Sequence, residues 1–230
     1  GSEMCIRDRV DSYEMAGDGG NFSWEKHGKD PYANREPRFY ATILYNGADW
    51  MGRKIESFVG GKDGYKAYEN AGAAGTTVTG YYLRKYLIDG DKTWVTSGSG
   101  QDWIVLRYAE VLLNKAEALA MENWNKNSAE ALQALNDVRA RVGLPARATA
   151  DKETFLEYVR HERKVELAGE GFRYWDLRRW RLAEKVIDGQ NVHGVKISKQ
   201  SDGSFTYEQV DADGGHKRIF YDLSLIHISE

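Results

Sequence analysis

Glu162 and Glu166, one helical turn apart in the run HERKVELAGEGFRYWDLRRW at 161–180, are the carboxylates with the most chemical promise in this chain. Two acids beside a histidine, His161, are the side-chain types that general acid–base catalysis employs. Winding residues 155–168 at about 100° per residue puts Phe155, Leu156 and Val159 on one face, and Glu162, Arg163 and Glu166 fall within the same arc. His161 lies away from that face, toward water or another loop. HERKVE also lacks the second histidine that would place two metal ligands on one turn. The charges therefore point inward without the companions a reaction or a metal would need. Buried unpaired they would be costly, so they must meet opposite charges. Structural ion pairs perturb pKa values as active sites do, and architecture is the better reading here.

The elements that must position these charges follow. A helix over 172–187 would stack Phe172, Trp175, Leu182, Ala183 and Val186 on one stripe, with Arg179 in the middle and Asp176 at the edge. Gly169-Glu170-Gly171 separates the two helices, since glycine accepts the left-handed conformation that ends a helix. Glu162, Arg163, Glu166, Asp176 and Arg179 are then expected to form one structural ion network clamping the helix pair. On that reading Arg179→Ala would destabilise by about 2 to 4 kcal/mol through stranded carboxylates.

Upstream, residues 102–122 place Val105, Ala109, Leu112, Ala116, Leu119 and Ala120 on one face, as an amphipathic helix does. After a polar turn at 123–127, Ser128 is a candidate cap for a second helix with Ala131, Leu135, Val138 and Val142 inward, ended by Gly143 and Pro145. Alanine-rich facing positions and a short loop predict an antiparallel helical hairpin. Asp151 is placed to cap the next helix.

Residues 10–101 read differently, as loops and short strands. RFYATILY (38–45) has strand bias and runs into the turn Asn46-Gly47, and YYLRKYLI (81–88) is a further short strand. Residues 96–101 form a joint before the helical part at 102–190, and 191–222 returns to alternating, glycine-punctuated text (VHGVKIS, SFTYEQV, KRIFYDL). The fold class expected is mostly α, with helical hairpins and a loop-rich part carrying short strands.

The chain has 230 residues, ample for a core, and 32 basic against 35 acidic residues, for a net charge of −3. No basic stripe suits a nucleic-acid backbone, and no apolar run is long enough to span a membrane. Cys5, the one cysteine, excludes an internal disulfide. Residues 2–9 (SEMCIRDR) and 223–230 (LSLIHISE) resemble translated adapter sequence, so segments 1–9 and 223–230 are expected to be foreign and the chain to be a piece of something longer.

Five ordered blocks carry a family resemblance: EPRFYATILYNG (36–47), TGYYLRKYL (79–87), DWIVLRYAEVLLNKAEALA (102–120), ALNDVRARVGLP (134–145) and HERKVELAGEGFRYWDLRRW (161–180). In them the chain resembles the C-terminal part of the SusD/RagB family, departing at Gly169, where members commonly carry a bulky apolar residue. The resemblance implies a scaffold similar to tetratricopeptide repeats, with ligand-carrying loops. It implies a surface-exposed outer-membrane lipoprotein of Bacteroidota that binds glycans, or sometimes peptides, without cleaving them. The partner implied is a SusC-like TonB-dependent transporter, with no cofactor, and with membrane attachment only through a lipid anchor that this stretch lacks; Cys5, with no apolar run before it, is not that anchor.

Sugar rings pack their C–H faces on flat aromatic side chains while planar polar groups bond the hydroxyls. Trp24, Tyr32, Trp50, Tyr65, Tyr68 and Trp94, all in loop-like text, are the candidate ligand contacts. Large aromatics also serve as buried loop anchors, and Trp175 and Trp180 belong to helix packing on this reading. Two rivals remain: a helical-repeat adaptor, which should show several units at a fixed period, and a glycoside hydrolase, which needs two carboxylates about 5 to 9 Å apart across a cleft.

Overall fold

The computed structural model describes residues 9–17, 19–64, 77, 79–91, 101–102 and 104–212. The expectations for Tyr65, Tyr68, Trp94, the joint at 96–100 and the strand at 217–223 lie outside these residues.

The first half is built from short pieces: α1 (Trp24–His27), α2 (Pro37–Thr42), β1 (Ile43–Leu44), β2 (Asp49–Trp50), β3 (Arg53–Lys54) and β4 (Tyr82–Leu83). Residues 38–42, expected as strand, are helical instead. Pro37 at the first turn fixes a helical φ, and the helix brings Arg38, Phe39 and Thr42 to one buried face, where a strand would split Arg38 from Phe39. Strand structure resumes only at Ile43–Leu44, which pairs antiparallel with Tyr82–Leu83, the one part of 81–88 that is strand. Between them Asn46-Gly47 turns as expected, with Gly47 at φ 88°.

The second half contains α3 (Tyr108–Ala140), α4 (Lys152–Glu166), α5 (Phe172–Arg179) and α6 (Ala183–Ile187), then β5 (His193–Lys199) and β6 (Phe205–Asp211). Asn123 is non-helical (φ −161°, ψ 96°) and divides α3 into two arms. Its side chain accepts from the Lys126 amide at 3.2 Å, so Asn123, not Ser128, caps the second arm. The Lys115–Glu130 pair at 2.7 Å, with one partner on each side of the break at Asn123, marks the arms as antiparallel. Ala116 and Ala120 of one arm and Ala131 and Ala134 of the other are buried together, the hairpin their small side chains predict. The first arm begins at Tyr108 rather than 102, because Arg107 is extended and sends its guanidinium to Glu166 and Glu170; Val105 is consequently 80% exposed instead of core. Asp151 caps α4, accepting from the Thr154 amide at 2.7 Å.

Helix α4 stands between two apolar cores. Phe155, Leu156 and Val159 join the hairpin in one, whereas Val165 faces the other, made of Tyr13, Tyr32, Phe39, Ile43, Tyr81, Val195 and Ile197. The buried Glu162, Arg163 and Glu166 lie at the junction. Their partners come mostly from outside the helix expected to supply them. Arg38 donates to Glu162 at 2.5 Å and Glu166 at 3.0 Å, and Arg139 to Glu162 at 3.0 Å and to both oxygens of Glu14 at 2.8 and 2.9 Å. Arg107 and Arg141 also reach Glu166. Only Arg163 pairs across to α5, through Asp176 at 2.8 Å, while its Nη1 donates to Asn114.

That one contact sets the rotation of α5. With Asp176 and Leu177 turned inward, Trp175 is turned out and 67% exposed, contrary to the stripe expected for it. The single helix expected over 172–187 breaks at Arg181 (φ 55°), and Val186 is exposed. Arg179 sits at the rim, its side chain 42% exposed, held by Asp176 and bidentately by Glu117. The large cost expected for its removal therefore belongs to Arg139, whose side chain is 1% exposed.

Arg139→Ala should cost about 3 to 5 kcal/mol by leaving the buried Glu14 and Glu162 each one guanidinium short, with Arg147 and Arg38 left to pair them, and Arg179→Ala about 1 kcal/mol or less. Urea denaturation of both variants checks the order, and equal losses would contradict this placement. Acid should act on the same pairs. Burial alone would raise the Glu166 carboxyl, but the Arg107 hydrogen bond and the charges of Arg38, Arg107 and Arg141 hold it down to about 2. Glu14 is likewise lowered: the Arg139 hydrogen bond and the charges of Arg139 and Arg147 outweigh burial. Both release protons more readily folded than unfolded, so their stabilisation is full above the ordinary value of 4.5 and is lost as pH falls toward 2. Burial raises Glu36, whose contribution runs the opposite way and offsets part of the loss. Circular-dichroism denaturation midpoints should fall steeply below pH 4.5; a flat profile would refute the assignment.

Candidate functional site: an aromatic cleft

Phe205 and Tyr207 on β6 stand on the same face of the β5–β6 hairpin as Val195 and Ile197, because Ile197 pairs with Tyr207 and Lys199 with Phe205. The inner end of that face is buried in the aromatic core. Its outer end forms one wall of a cleft of about 750 Å3, whose other wall is α1 and the turn after it. Trp24, Phe205 and Tyr207 supply the rings, and Glu25, Lys29 and Gln209 supply charge and hydrogen-bonding groups.

Each ring is held. Ser23 caps α1, and Trp24 donates its indole N–H to Asp11 at 3.0 Å while meeting Phe22 edge-on at 5.5 Å. A Cβ on Gly28 would stand 2.4 Å from the Trp24 carbonyl oxygen, so the chain leaves α1 at a residue with no side chain. Phe205 packs on Phe58 at 5.4 Å, and Tyr207 meets Tyr32 edge-on at 5.3 Å. Burial, then the negative charge of Asp30, pushes the Tyr207 hydroxyl up to about 12, opposed by a hydrogen bond to Asn46. At neutral pH Tyr207 keeps its proton and remains a donor.

Of the described residues singled out from sequence, Trp24 alone lines this cleft. Tyr32 is 6% exposed, stacked among Phe39, Tyr45, Tyr81 and Tyr207, so it backs the cleft without facing a ligand. Trp50 is half-buried on the β2–β3 hairpin against Leu44, Ala48 and Ile55, with the Arg84 guanidinium 5.7 Å from its ring centre, apart from the cleft. Trp180 donates to Glu117 at 2.7 Å and Arg179 covers its ring at 4.6 Å, a packing role. Phe205 and Tyr207 escaped the sequence reading. Their signal was the alternation in SFTYEQV, which puts both aromatics and Gln209 on one face of a strand.

Helical arms packed in antiparallel pairs, with a loop-and-strand face that presents rings and hydrogen-bonding groups, define a mostly α, tetratricopeptide-like scaffold. The chain belongs to the SusD family, whose profile matches residues 4–220. That match reaches into the segment set aside at 1–9, and Arg9 is itself buried. SusD-like protein P38 of Formosa agariphila is 32% identical over 133 residues, 54% of this chain and 25% of that protein. Among solved structures, a SusD-like protein from Bacteroides fragilis superposes with a TM-score of 0.74 at 27% identity, covering 94% of this chain and 41% of its own. A SusD-like carbohydrate binding protein from the same organism gives 0.68 at 28% identity, covering 95% and 44%. The chain thus spans between a quarter and somewhat under half of these relatives.

Tyr32→Ala should cost about 3 to 5 kcal/mol in urea denaturation, the range for emptying a packed aromatic site. A loss within about 0.5 kcal/mol would place that ring in solvent, where surface substitutions fall.

Proposed function

We propose that this chain is the glycan-binding part of a nutrient-uptake protein and that the Trp24–Phe205–Tyr207 cleft is where sugar rings stack. The observation that carries the reading is the composition of that cleft. Three rings, braced from behind by Asp11, Phe58 and Tyr32, stand beside Glu25, Lys29 and Gln209, a pairing of flat apolar faces with hydrogen-bonding groups that suits pyranose rings. One of the structurally similar proteins is described as carbohydrate binding, which supports the same class of ligand. The reading is of binding without bond cleavage. Its finer part is an outer-membrane surface location through a lipid anchor and delivery to a SusC-like TonB-dependent transporter, for which family membership is the support. Among the described residues no helix is long and apolar enough to cross a membrane.

Isothermal titration with maltooligosaccharides, xylooligosaccharides and mucin O-glycans tests this directly. One class should bind, and Trp24→Ala and Tyr207→Ala should each weaken it by about tenfold, roughly 1.4 kcal/mol for a lost ring contact. Unchanged affinity in both variants would remove the cleft from the function. If Trp50→Ala alone abolishes binding, the β2–β3 hairpin is the platform instead. New reducing ends after incubation would contradict the non-catalytic reading.

A further inference from the structure

A second concavity, of about 260 Å3, shares no residue with the Trp24 cleft. Its walls include four cations, Arg38, Lys85, Arg107 and Arg141, and two carboxylates, Glu166 and Glu170. Arg38 divides its charge with Glu36 and Glu162, away from this space. Lys85, Arg107 and Arg141 then stand against Glu166 and Glu170, and among the described residues the walls carry a surplus of positive charge.

The donors are not all used. Arg107 commits each of its guanidinium nitrogens to Glu166 or Glu170. Arg38, with its side chain only 7% exposed, gives Nε to Glu36 and Nη1 to Glu162 and Glu166, while its Nη2 is buried with no hydrogen-bond partner among the described residues. Arg141 bonds Glu166 through Nη2 alone. Burial makes Lys85 a poorer cation, and the neighbouring Arg107 adds to that against the pull of Glu170. A buried guanidinium N–H normally finds an acceptor. A water molecule would supply one but would leave the surplus charge as it stands.

We propose that this concavity binds one oxyanion group, the carboxylate of a uronic acid or the sulfate of a sulfated sugar. Such a group accepts from Arg141 and Lys85 beside the buried Arg38 guanidinium and neutralises the surplus. The volume is well above a water's share and below the range of about 300 to 1,000 Å3 typical of sites that enclose a whole ligand, so it suits a charged substituent on a single ring and not an oligosaccharide. The proposal stands whether or not the Trp24 cleft binds sugar.

The test is calorimetric titration of the 230-residue chain at low salt with galacturonate, galactose 6-sulfate and uncharged galactose. At least one charged sugar should bind, galactose should bind about tenfold more weakly or not at all, and added salt should weaken the charged one. Binding of galacturonate alone identifies the carboxylate, and binding of the sulfated sugar alone identifies the sulfate; either supports the site. Two variants localise it. Arg141→Gln removes an exposed donor, and Ile104→Asp sets a like charge at a half-exposed wall position that makes no ion pair. Whichever of them keeps the wild-type circular-dichroism spectrum should weaken binding by about fivefold or more, and Trp24→Ala should leave it unchanged. The proposal is overturned if neither charged sugar binds, if galactose binds as well as they do, if the folded variants bind like wild type, or if Trp24→Ala abolishes binding.

Discussion

Glu162 and Glu166 enter the interior of this protein only because Arg38 and Arg139 enter with them. An apolar contact is non-directional and tolerates many arrangements of two packed cores. A buried carboxylate does not, since it must meet a guanidinium at hydrogen-bonding distance or be left stranded. Helix α4 carries its acids between the hairpin core and the aromatic core, and the arginines that satisfy them come from α2, 124 and 128 residues earlier, and from the end of the hairpin. The pairs thereby fix how two separate stretches of chain sit against one helix. Their value is in specifying that register, because replacing such a cluster with apolar residues is often neutral or stabilising.

The cleft inherits its geometry from this frame. Val195 and Ile197 root the β5–β6 hairpin in the aromatic core that Val165 of α4 also enters, and Tyr32 stands directly behind Tyr207. Trp24 approaches from the other side on a four-residue helix, steered by its hydrogen bond to Asp11. A rigid scaffold presenting rings on short, loop-borne elements allows the ligand-facing side chains to vary while the backing is kept.

Much of the helical half was legible from pattern alone. The alanine-lined hairpin, the Asp151 cap and the mixed apolar and charged face of α4 follow from helical periodicity and capping chemistry. Three of the differences share a cause, in that a local preference yielded to a charge elsewhere in the chain. Residues 38–42 have strand bias, yet they are helical where Arg38 reaches α4. The hairpin starts late because Arg107 is held extended toward Glu166 and Glu170, and Trp175 faces water because Asp176 faces Arg163. Of the aromatic candidates, Trp24 and Tyr32 are nearly alike as text, both in polar, turn-rich sequence. One is a wall of the cleft and the other is buried behind it.

The order of residues by itself determined that charge would be buried on α4, that two alanine-faced helices would pair, and that the chain carries the marks of the SusD family, because periodicity, caps and motifs are local and survive without coordinates. Only the tertiary structure decided which arginine answers which carboxylate and which rings meet across a cleft. Those outcomes depend on distances between segments that lie from 13 to more than a hundred residues apart in the chain, and no local preference encodes them.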